Sequence, residues 1–195
     1  MKKIAVFGGS FDPVHKAHIE IACLAMKEFS LENIFFVPAW TAPHKKGHFA
    51  SPKQRLEMLE IALSKFPEFE ISLYEIGQKE KIFSYQTLDH FKETYPNDEI
   101  FMIIGSDSLN DLPAWKNIDY LAKKYRFIAA PRSGALADQN AKYLDRCLFI
   151  DRTFENISST QIRNLISAGD IKAKDYLNEE VYEYIKQNGL YAYKA

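Results

Sequence analysis

Two histidines near the start of the chain, His15 and His18, are the side chains whose type and spacing most clearly indicate chemistry. They are three residues apart, so on a helix both project on the same side of its first turn. There the imidazoles can donate hydrogen bonds to anionic oxygens, which the helix dipole also attracts. The alternatives are a solvated pair and a metal site. A metal needs a third ligand, and no Cys or carboxylate lies at the usual short spacing, so we predict no protein metal site.

The residues around these histidines predict a strand, a glycine turn and a helix. Residues 4–7 form an apolar run typical of a short buried strand. Gly8 and Gly9 break that strand and let backbone approach a ligand closely. Pro13 suits the first turn of a helix, so we expect the helix to begin there. Its apolar positions recur at helical spacing, at Ile19, Ala22, Cys23 and Met26. A glycine-rich turn between strand and helix is a phosphate site, so phosphate handling is the favoured role of the histidines.

A second stretch with phosphate-binding character lies at residues 157–163, which read Ile-Ser-Ser-Thr-Gln-Ile-Arg. Ser158 and Gln161 fit a capping box, which predicts a helix N-terminus. Bare N–H groups, the hydroxyls and Arg163 would together suit the β- and γ-phosphates of a triphosphate. The alternative is an ordinary capped helix with a surface arginine.

The two stretches together resemble the signatures of the nucleotidyltransferase superfamily. Residues 9–18 follow Gly-x-Phe-x-Pro-x-His-x-x-His, and the family pattern usually ends in His-x-Gly-His. Residues 157–163 match the second signature, Ile-Ser-Ser-Thr-x-Ile-Arg. Over essentially the whole chain, the closest likeness is to the bacterial nicotinate mononucleotide adenylyltransferases. One departure is Ala17, which stands where the family usually has Gly and whose methyl group would crowd a bound nucleotide.

Length and composition limit the classes of protein that fit. The 195 residues suit one domain. A net charge of -1 argues against a nucleic-acid or polybasic membrane partner. No apolar stretch is long enough to span a membrane. Cys23 and Cys147 are too few for a disulfide framework and read as reduced thiols, so we expect a cytoplasmic protein.

Strands and helices alternate along the chain, which predicts an α/β fold with a doubly wound, Rossmann-like parallel sheet. We expect one domain over residues 1–195, with a helical part at about 157–195 packed on it. The predicted strands are residues 4–7, 34–37, 71–73, 100–104, 127–130 and 147–150. The candidate sites follow strands one, two, four and six, whose carboxyl ends face one crevice in such a sheet.

The family resemblance assigns residues to catalysis and to two substrates. The implied catalytic residues are His15, His18 and Arg163. The implied ATP-binding residues are Gly8, Gly9, Ser10, Phe11, His15, His18, Gly105, Asp107, Ile157, Ser158, Ser159, Thr160 and Arg163. The implied binding residues for nicotinate mononucleotide are Ser10, His44, Lys45, Ser84, Thr87, Trp115 and Arg132.

Several of these residues have a plainer reading. His44 and Lys45 lie in what could be simply an exposed basic loop, although Lys45 would follow a strand end and meet phosphate as a point charge. Asp107 could be only a helix cap. Trp115 could be a core residue, whereas in the family the matching Trp stacks on the pyridine ring. Residues 84–88 resemble the family element that contacts the pyridine nucleotide, and we expect Ser84 to cap that helix.

The resemblance implies transfer of the adenylyl group of ATP to nicotinate mononucleotide, a step of NAD biosynthesis that releases pyrophosphate. Catalysis would be positioning and charge stabilisation, with Mg²⁺ carried on ATP. One alternative is a phosphopantetheine adenylyltransferase, which shares the first signature but usually lacks the Ile-Arg ending. Another is a non-catalytic nucleotide-binding regulator. Whether the chain forms a homo-oligomer is left open.

Overall fold

A six-stranded parallel sheet organises the computed structural model, which describes residues 1–40, 49–131, 142–154 and 157–193. The strands are β1 (Lys3–Gly9), β2 (Asn33–Pro38), β3 (Phe69–Ile71), β4 (Glu99–Gly105), β5 (Arg126–Ala130) and β6 (Cys147–Phe149). Their order across the sheet is β3-β2-β1-β4-β5-β6, and every neighbouring pair is parallel. The order reverses between β1 and β4, so the predicted Rossmann-like fold is confirmed and its switch point lies there.

Helices connect the strands and complete the C-terminal part of the chain. In the described residues they are α1 (Lys16–Phe29), α2 (Pro52–Leu63), α3 (Tyr74–Gln78), α4 (Ser84–Thr94), α5 (Ser106–Asp111), α6 (Ile118–Lys124), α7 (Ser159–Ala168), α8 (Ala173–Tyr176) and α9 (Glu179–Gln187). Single 3₁₀ turns lie at Leu112–Ala114, Leu144–Arg146 and Leu190–Ala192. None of the helices within these ranges is long and apolar enough to cross a membrane.

Two hydrophobic clusters cover the two faces of the sheet, because successive strand residues point to opposite sides. In β1, Ala5 and Phe7 belong to the cluster that contains residues of α1, α2, α7 and α9. Ile4 and Val6 belong to the other cluster, which contains residues of α4 and α6. Both faces of the central strands are therefore dry, and their carboxyl ends carry the polar residues that remain available for chemistry.

The start of α1 differs from the prediction. We expected the helix to begin near Pro13, but it begins at Lys16 and His15 is its N-cap in an extended conformation. The peptide bond between Asp12 and Pro13 is cis, and these two residues form a turn of their own. The buried Asp12 carboxylate accepts hydrogen bonds from the backbone of Phe49 (2.8 Å) and Ala50 (3.1 Å). This anchoring keeps the turn apart from the helix.

Other element boundaries also needed correction. The third strand was predicted at residues 71–73, but β3 ends at Ile71 and the unpredicted helix α3 follows. Leu73 is 53% exposed, which explains why its apolar character misled the prediction. Ser84 is the first residue of α4 rather than its cap, which is Phe83. Cys23 is exposed, and α1 buries Ala25 instead.

Candidate active site

A cleft of about 570 Å³ opens at the carboxyl ends of β1, β2 and β4, at the switch point of the sheet. Ligands bind at this place in open parallel sheets. The residues predicted for substrates that line it are Gly8, Gly9, Ser10, Ser84, Gly105 and Trp115. His15, His18 and Arg163 do not line this cleft. The two histidines follow its lining residue Ser10 along the chain, and Arg163 contacts the turn at Asp12 that lies between them. The site therefore has two parts, the cleft and the region around the two motifs.

The histidine pair is held in one defined arrangement. The two rings lie 3.7 Å apart between centroids, with 33° between their planes. The backbone N–H of His15 donates to Nδ1 of His18 over 3.2 Å. Because Nδ1 is the acceptor, the neutral His18 ring carries its proton on Nε2, which becomes its donor nitrogen. The spacing prediction that both rings share one side of the helix start is thus confirmed.

The ring of Phe11 packs against the ring of His18. Its ring lies 5.1 Å from the His18 ring at 70°, and it is buried. Phe11 has a positive φ of 47°, an unusual conformation for a bulky side chain. A Cβ added at Gly9 would come within 3.0 Å of the Phe11 ring. Gly9 is therefore needed for this ring as well as at the cleft wall, and the strand continues through it rather than breaking.

The two motifs meet in space although about 140 residues separate them. Ser159 Oγ donates to the Pro13 carbonyl over 3.0 Å. Arg163 donates from Nη1 to the Asp12 carbonyl (2.7 Å) and from Nη2 to Thr160 Oγ1 (3.0 Å). The start of α7 thus packs against the turn that leads into α1, so the N-termini of both helices belong to one region.

Arg163 itself is not the surface arginine that the plainer reading predicted. It is 9% exposed, and its guanidinium carbon lies 4.3 Å from the centroid of the Phe49 ring. Ser158 caps α7 in the capping box predicted with Gln161. Ile157 is also buried, so in this motif the hydroxyl-bearing residues and the helix N–H groups are the parts nearer to solvent.

A buried polar cluster that the sequence analysis missed joins the loops around the site. Arg55 has no solvent exposure and donates to the carbonyls of Ser10 (2.8 Å) and Ala39 (2.8 Å), which follow β1 and β2. Burial lowers the pKa of Arg55, and the charge of Asp12 opposes that shift. The signal was available, because Arg55 falls on the apolar stripe of α2 with Leu59.

Tyr191 completes this cluster from the C-terminal part of the chain. Its hydroxyl donates to Oδ1 of Asp12 over 2.8 Å. Burial, and then the charge of Asp12, raise the pKa of Tyr191. The carboxylate of Asp12 is thus satisfied by one hydroxyl and two backbone N–H groups, while its carbonyl accepts from Arg163.

The far end of the cleft is built by α3, the start of α4 and the segment around Trp115. Trp115 is partly buried and lies perpendicular to the Phe127 ring, with 6.4 Å between ring centroids, so it packs on the core and also lines the cleft. Lys81 and Lys116 also line the cleft, with ammonium groups 4.9 and 4.4 Å from the Phe83 ring centroid. Neither lysine was singled out in the sequence analysis.

Thr87 makes a contact that was not predicted. It is buried, and its hydroxyl donates to Oε1 of Glu75 over 2.7 Å. Glu75 lines the cleft, and burial raises its pKa to about 7, with the hydrogen bond from Thr87 opposing the shift. Nothing in the sequence singled out Glu75, because it lies on α3, which the apolar pattern did not predict.

For some predicted site residues, all or part of the residue lies outside the described part of the chain. His44, Lys45 and Arg132 lie outside the described residues, as does the side chain of Asp107. The backbone of Asp107 belongs to α5, whose cap is Gly105, so Asp107 is not the cap of that helix. Within the described ranges, no group of three His, Cys, Asp or Glu could hold a metal ion.

Comparison with known proteins identifies the family. The model of the cytidylyltransferase-like family matches residues 6–165. A protein of Endomicrobium trichonymphae named as a nicotinate-nucleotide adenylyltransferase is 55% identical over 192 residues, which cover 98% of this chain and 100% of that protein. The chain belongs to the cytidylyltransferase-like family. As a cytidylyltransferase-like protein it is a nucleotidyltransferase, which confirms the resemblance predicted from the two motifs.

Other relatives agree with this assignment. A Clostridium tetani protein named as a nicotinate-nucleotide adenylyltransferase is 36% identical over 200 residues. That alignment covers 98% of this chain and 100% of the Clostridium tetani protein. The solved structure of Plasmodium falciparum nicotinic acid mononucleotide adenylyltransferase complexed with NaAD aligns with a TM-score of 0.85 at 23% identity. That alignment covers 100% of this cytidylyltransferase-like chain and 99% of the other, and it shows a shared fold.

Proposed function

We propose that this cytidylyltransferase-like protein transfers the adenylyl group of ATP to nicotinate mononucleotide. A phosphate oxygen of nicotinate mononucleotide attacks the α-phosphorus of ATP, and the bond from that phosphorus to the β-phosphate oxygen breaks. Pyrophosphate leaves and nicotinate adenine dinucleotide forms. The observation that carries the proposal is the meeting of the two motifs at Asp12 and Pro13, beside a cleft at the switch point of the sheet. The names of the two bacterial relatives support this choice of acceptor.

The region between the two helix N-termini is the proposed triphosphate site. The first N–H groups of α1 and α7 have no partner within their own helices, and both helix dipoles favour negative charge. The Thr160 hydroxyl accepts from Arg163 and can still donate at the start of α7, whereas the hydroxyls of Ser158 and Ser159 donate to Gln161 and Pro13 and hold that start in place. Arg163 contributes positive charge behind them and fixes the start of α7 against the Asp12 turn. Phosphates bound here would leave the α-phosphorus facing the histidine pair.

The histidines are proposed to stabilise the transferring phosphoryl group. Because Nδ1 of His18 is fixed by the His15 backbone, its Nε2–H has one orientation and needs no reorganisation during the reaction. His15 stacks against that ring and keeps the pair together. No side-chain nucleophile is needed, since the acceptor already carries a charged phosphate, and the remaining catalysis is alignment of two substrates.

The cleft is the proposed site of the acceptor. Trp115 would stack on the pyridine ring, and the N–H groups of Ser84 and Tyr85, at the first two positions of α4, lack partners within the helix. These donors and the nearby Lys81 and Lys116 suit the carboxylate of nicotinate mononucleotide. Ser10, where the cleft meets the first motif, would lie between the two substrates. His44, Lys45 and Arg132 remain proposed contacts from the sequence alone.

Magnesium is proposed to arrive bound to ATP. The residues of the triphosphate site supply N–H, hydroxyl and cationic groups, which bind phosphate oxygens rather than a metal. Asp12, the carboxylate in the turn before the histidines, already accepts from Tyr191 and two backbone groups. The ligands of the metal would therefore be phosphate oxygens and water, as Mg²⁺ prefers, and its charge would offset that of the leaving pyrophosphate. The two free thiols are consistent with the proposed cytoplasmic location.

Pyrophosphate release with a panel of acceptors tests the proposal. The purified protein would be incubated with ATP and Mg²⁺ and with nicotinate mononucleotide, nicotinamide mononucleotide or phosphopantetheine in separate reactions. We expect rapid release with nicotinate mononucleotide and a dinucleotide product. Release of pyrophosphate only with phosphopantetheine would overturn the proposal. Failure to release pyrophosphate with any of the three acceptors would also overturn it.

A further inference from the structure

Glu75 is a carboxyl group in the acceptor cleft to which the proposed reaction gives no role. It lies on α3, and its Oε1 accepts the hydroxyl of the buried Thr87 over 2.7 Å. Ser84 and Trp115 line the same cleft. An acidic side chain beside the proposed carboxylate site is unexpected, because two carboxylates close together repel each other.

The titratable groups that share this part of the cleft lie on α3, on α4 and on the segments that carry Lys81 and Lys116. On its own helix, Tyr74 precedes it and stacks on His90 of α4, with ring centroids 3.9 Å apart. From the other walls of the cleft, Lys81 and Lys116 contribute ammonium groups. Burial is the main influence on Glu75 itself and raises its pKa to about 7, against the opposing hydrogen bond from Thr87. The group therefore changes charge near neutral pH.

We propose that Glu75 is a specificity-determining residue, whose protonation state sets the preference of the cleft between an acceptor carboxylate and an acceptor carboxamide. The inference rests on the proposed function, because it takes the cleft to hold the pyridine nucleotide. A protonated Glu75 is neutral and can donate a hydrogen bond to a nicotinate carboxylate. An ionised Glu75 repels that carboxylate and instead accepts a hydrogen bond from the NH₂ of a carboxamide.

The experiment is the ratio of kcat/KM for nicotinate mononucleotide to that for nicotinamide mononucleotide, measured from about pH 5.5 to 8.5. Both acceptors carry the same phosphate and react with the same ATP at the same histidines. Any effect of pH on these shared groups therefore cancels in the ratio. We expect the ratio to fall about tenfold or more as the pH rises, which corresponds to about 1.4 kcal/mol or more. In the Glu75→Gln variant the side chain at position 75 is neutral at every pH, so the ratio should stay constant.

Two further variants separate Glu75 from its neighbours. His90→Gln removes the imidazole that stacks on Tyr74 beside Glu75, and it should keep the pH-dependent ratio of the wild type. Thr87→Val removes the hydrogen bond that favours the charged carboxylate, so the fall in the ratio should move to higher pH. A constant ratio in the wild type, or a ratio that becomes constant in His90→Gln rather than Glu75→Gln, overturns the inference.

A measurement without substrates checks the titration of Glu75 independently. A carboxyl whose pKa is raised on folding opposes folding increasingly as the pH rises from the unfolded value towards the folded one. The Tm of Glu75→Gln relative to wild type should therefore be higher at pH 8 than at pH 5. An unchanged difference contradicts the inference. Absence of adenylyl transfer to both acceptors would instead remove the proposed function, so the two failures are distinguishable.

Discussion

At the scale of single residues, the chemistry depends on side chains that are held before any substrate arrives. His18 is fixed by the His15 backbone at Nδ1 and by its contact with the buried Phe11 ring. The sequence predicted the pairing of the two histidines, because their spacing is set by the helix repeat. It could not predict that His15 is the cap rather than a helical residue, because that depends on Asp12 binding the backbone of a distant segment.

His18 carries the first prediction at this scale. His18→Ala should lower kcat by ~10²–10³, the usual loss for one preorganised donor to a transition state. The fold should persist, because the imidazole is only partly buried. His90→Ala, which removes a histidine outside the two motifs, is the matched control and should leave kcat near that of the wild type. A folded His18→Ala protein with wild-type kcat would show that this ring is not catalytic.

The second prediction at this scale concerns Tyr191. Its hydroxyl donates to a buried carboxylate, so Tyr191→Phe should cost about 1.5–3 kcal/mol of unfolding free energy near neutral pH. The folded pKa is raised, so this contribution is fully present below the unfolded value of about 10 and is lost as the pH rises above it. Denaturant unfolding of both proteins across that range is the measurement. The two stability curves should converge at high pH, and parallel curves would contradict the assignment.

Tyr120→Phe is the control for that measurement. The Tyr120 hydroxyl also donates to a carboxylate, that of Asp89 over 2.8 Å, but Tyr120 is 40% exposed. Water competes for such a pair, so the loss should be well below that of Tyr191→Phe. Equal losses would mean that burial of the Asp12 carboxylate has no energetic consequence.

At the scale of elements, the positions of helix starts define the site. The capping boxes of α2 and α7 were predicted correctly, since Ser and Gln three residues apart form them locally. The junction between α7 and the Asp12 turn was not predictable from local pattern, because the bonds from Ser159 and Arg163 join residues far apart in sequence. Helix α3 was not predicted because it has only five residues and buries none of them, so it leaves no apolar pattern in the sequence. The apolar Leu73 just before it is exposed and was assigned to a strand instead.

The two capping boxes allow a matched comparison. Ser51→Ala and Ser158→Ala each remove the same kind of cap, so each should cost about 1 kcal/mol of unfolding free energy. Only Ser158 belongs to the proposed triphosphate site, so only Ser158→Ala should also raise the KM for ATP. Thermal unfolding and steady-state kinetics measure both effects. A rise in KM of the same size in both variants would indicate a general loss of stability rather than a disturbed triphosphate site.

At the scale of the whole molecule, the strand order places both motifs and the cleft at one edge of the sheet. The alternation of strands and helices was enough to predict this fold. Connections between parallel strands are almost always right-handed, so few chain topologies fit such an alternation. The buried cluster of Arg55, Asp12 and Tyr191 did not follow from it. That cluster ties the loops after β1 and β2 to the C-terminal part of the chain, through contacts that no local pattern encodes.

The central claim is that the acceptor is the acid, nicotinate mononucleotide, and its most direct test is the preference over the amide. The measurement is kcat/KM for both acceptors near pH 7 with saturating ATP and Mg²⁺. One or two hydrogen bonds to a charged carboxylate contribute about 1.5–3 kcal/mol each, so the acid should be preferred by about 10–100-fold or more. Equal values, or a preference for nicotinamide mononucleotide, would contradict the assignment of the cleft and of the reaction.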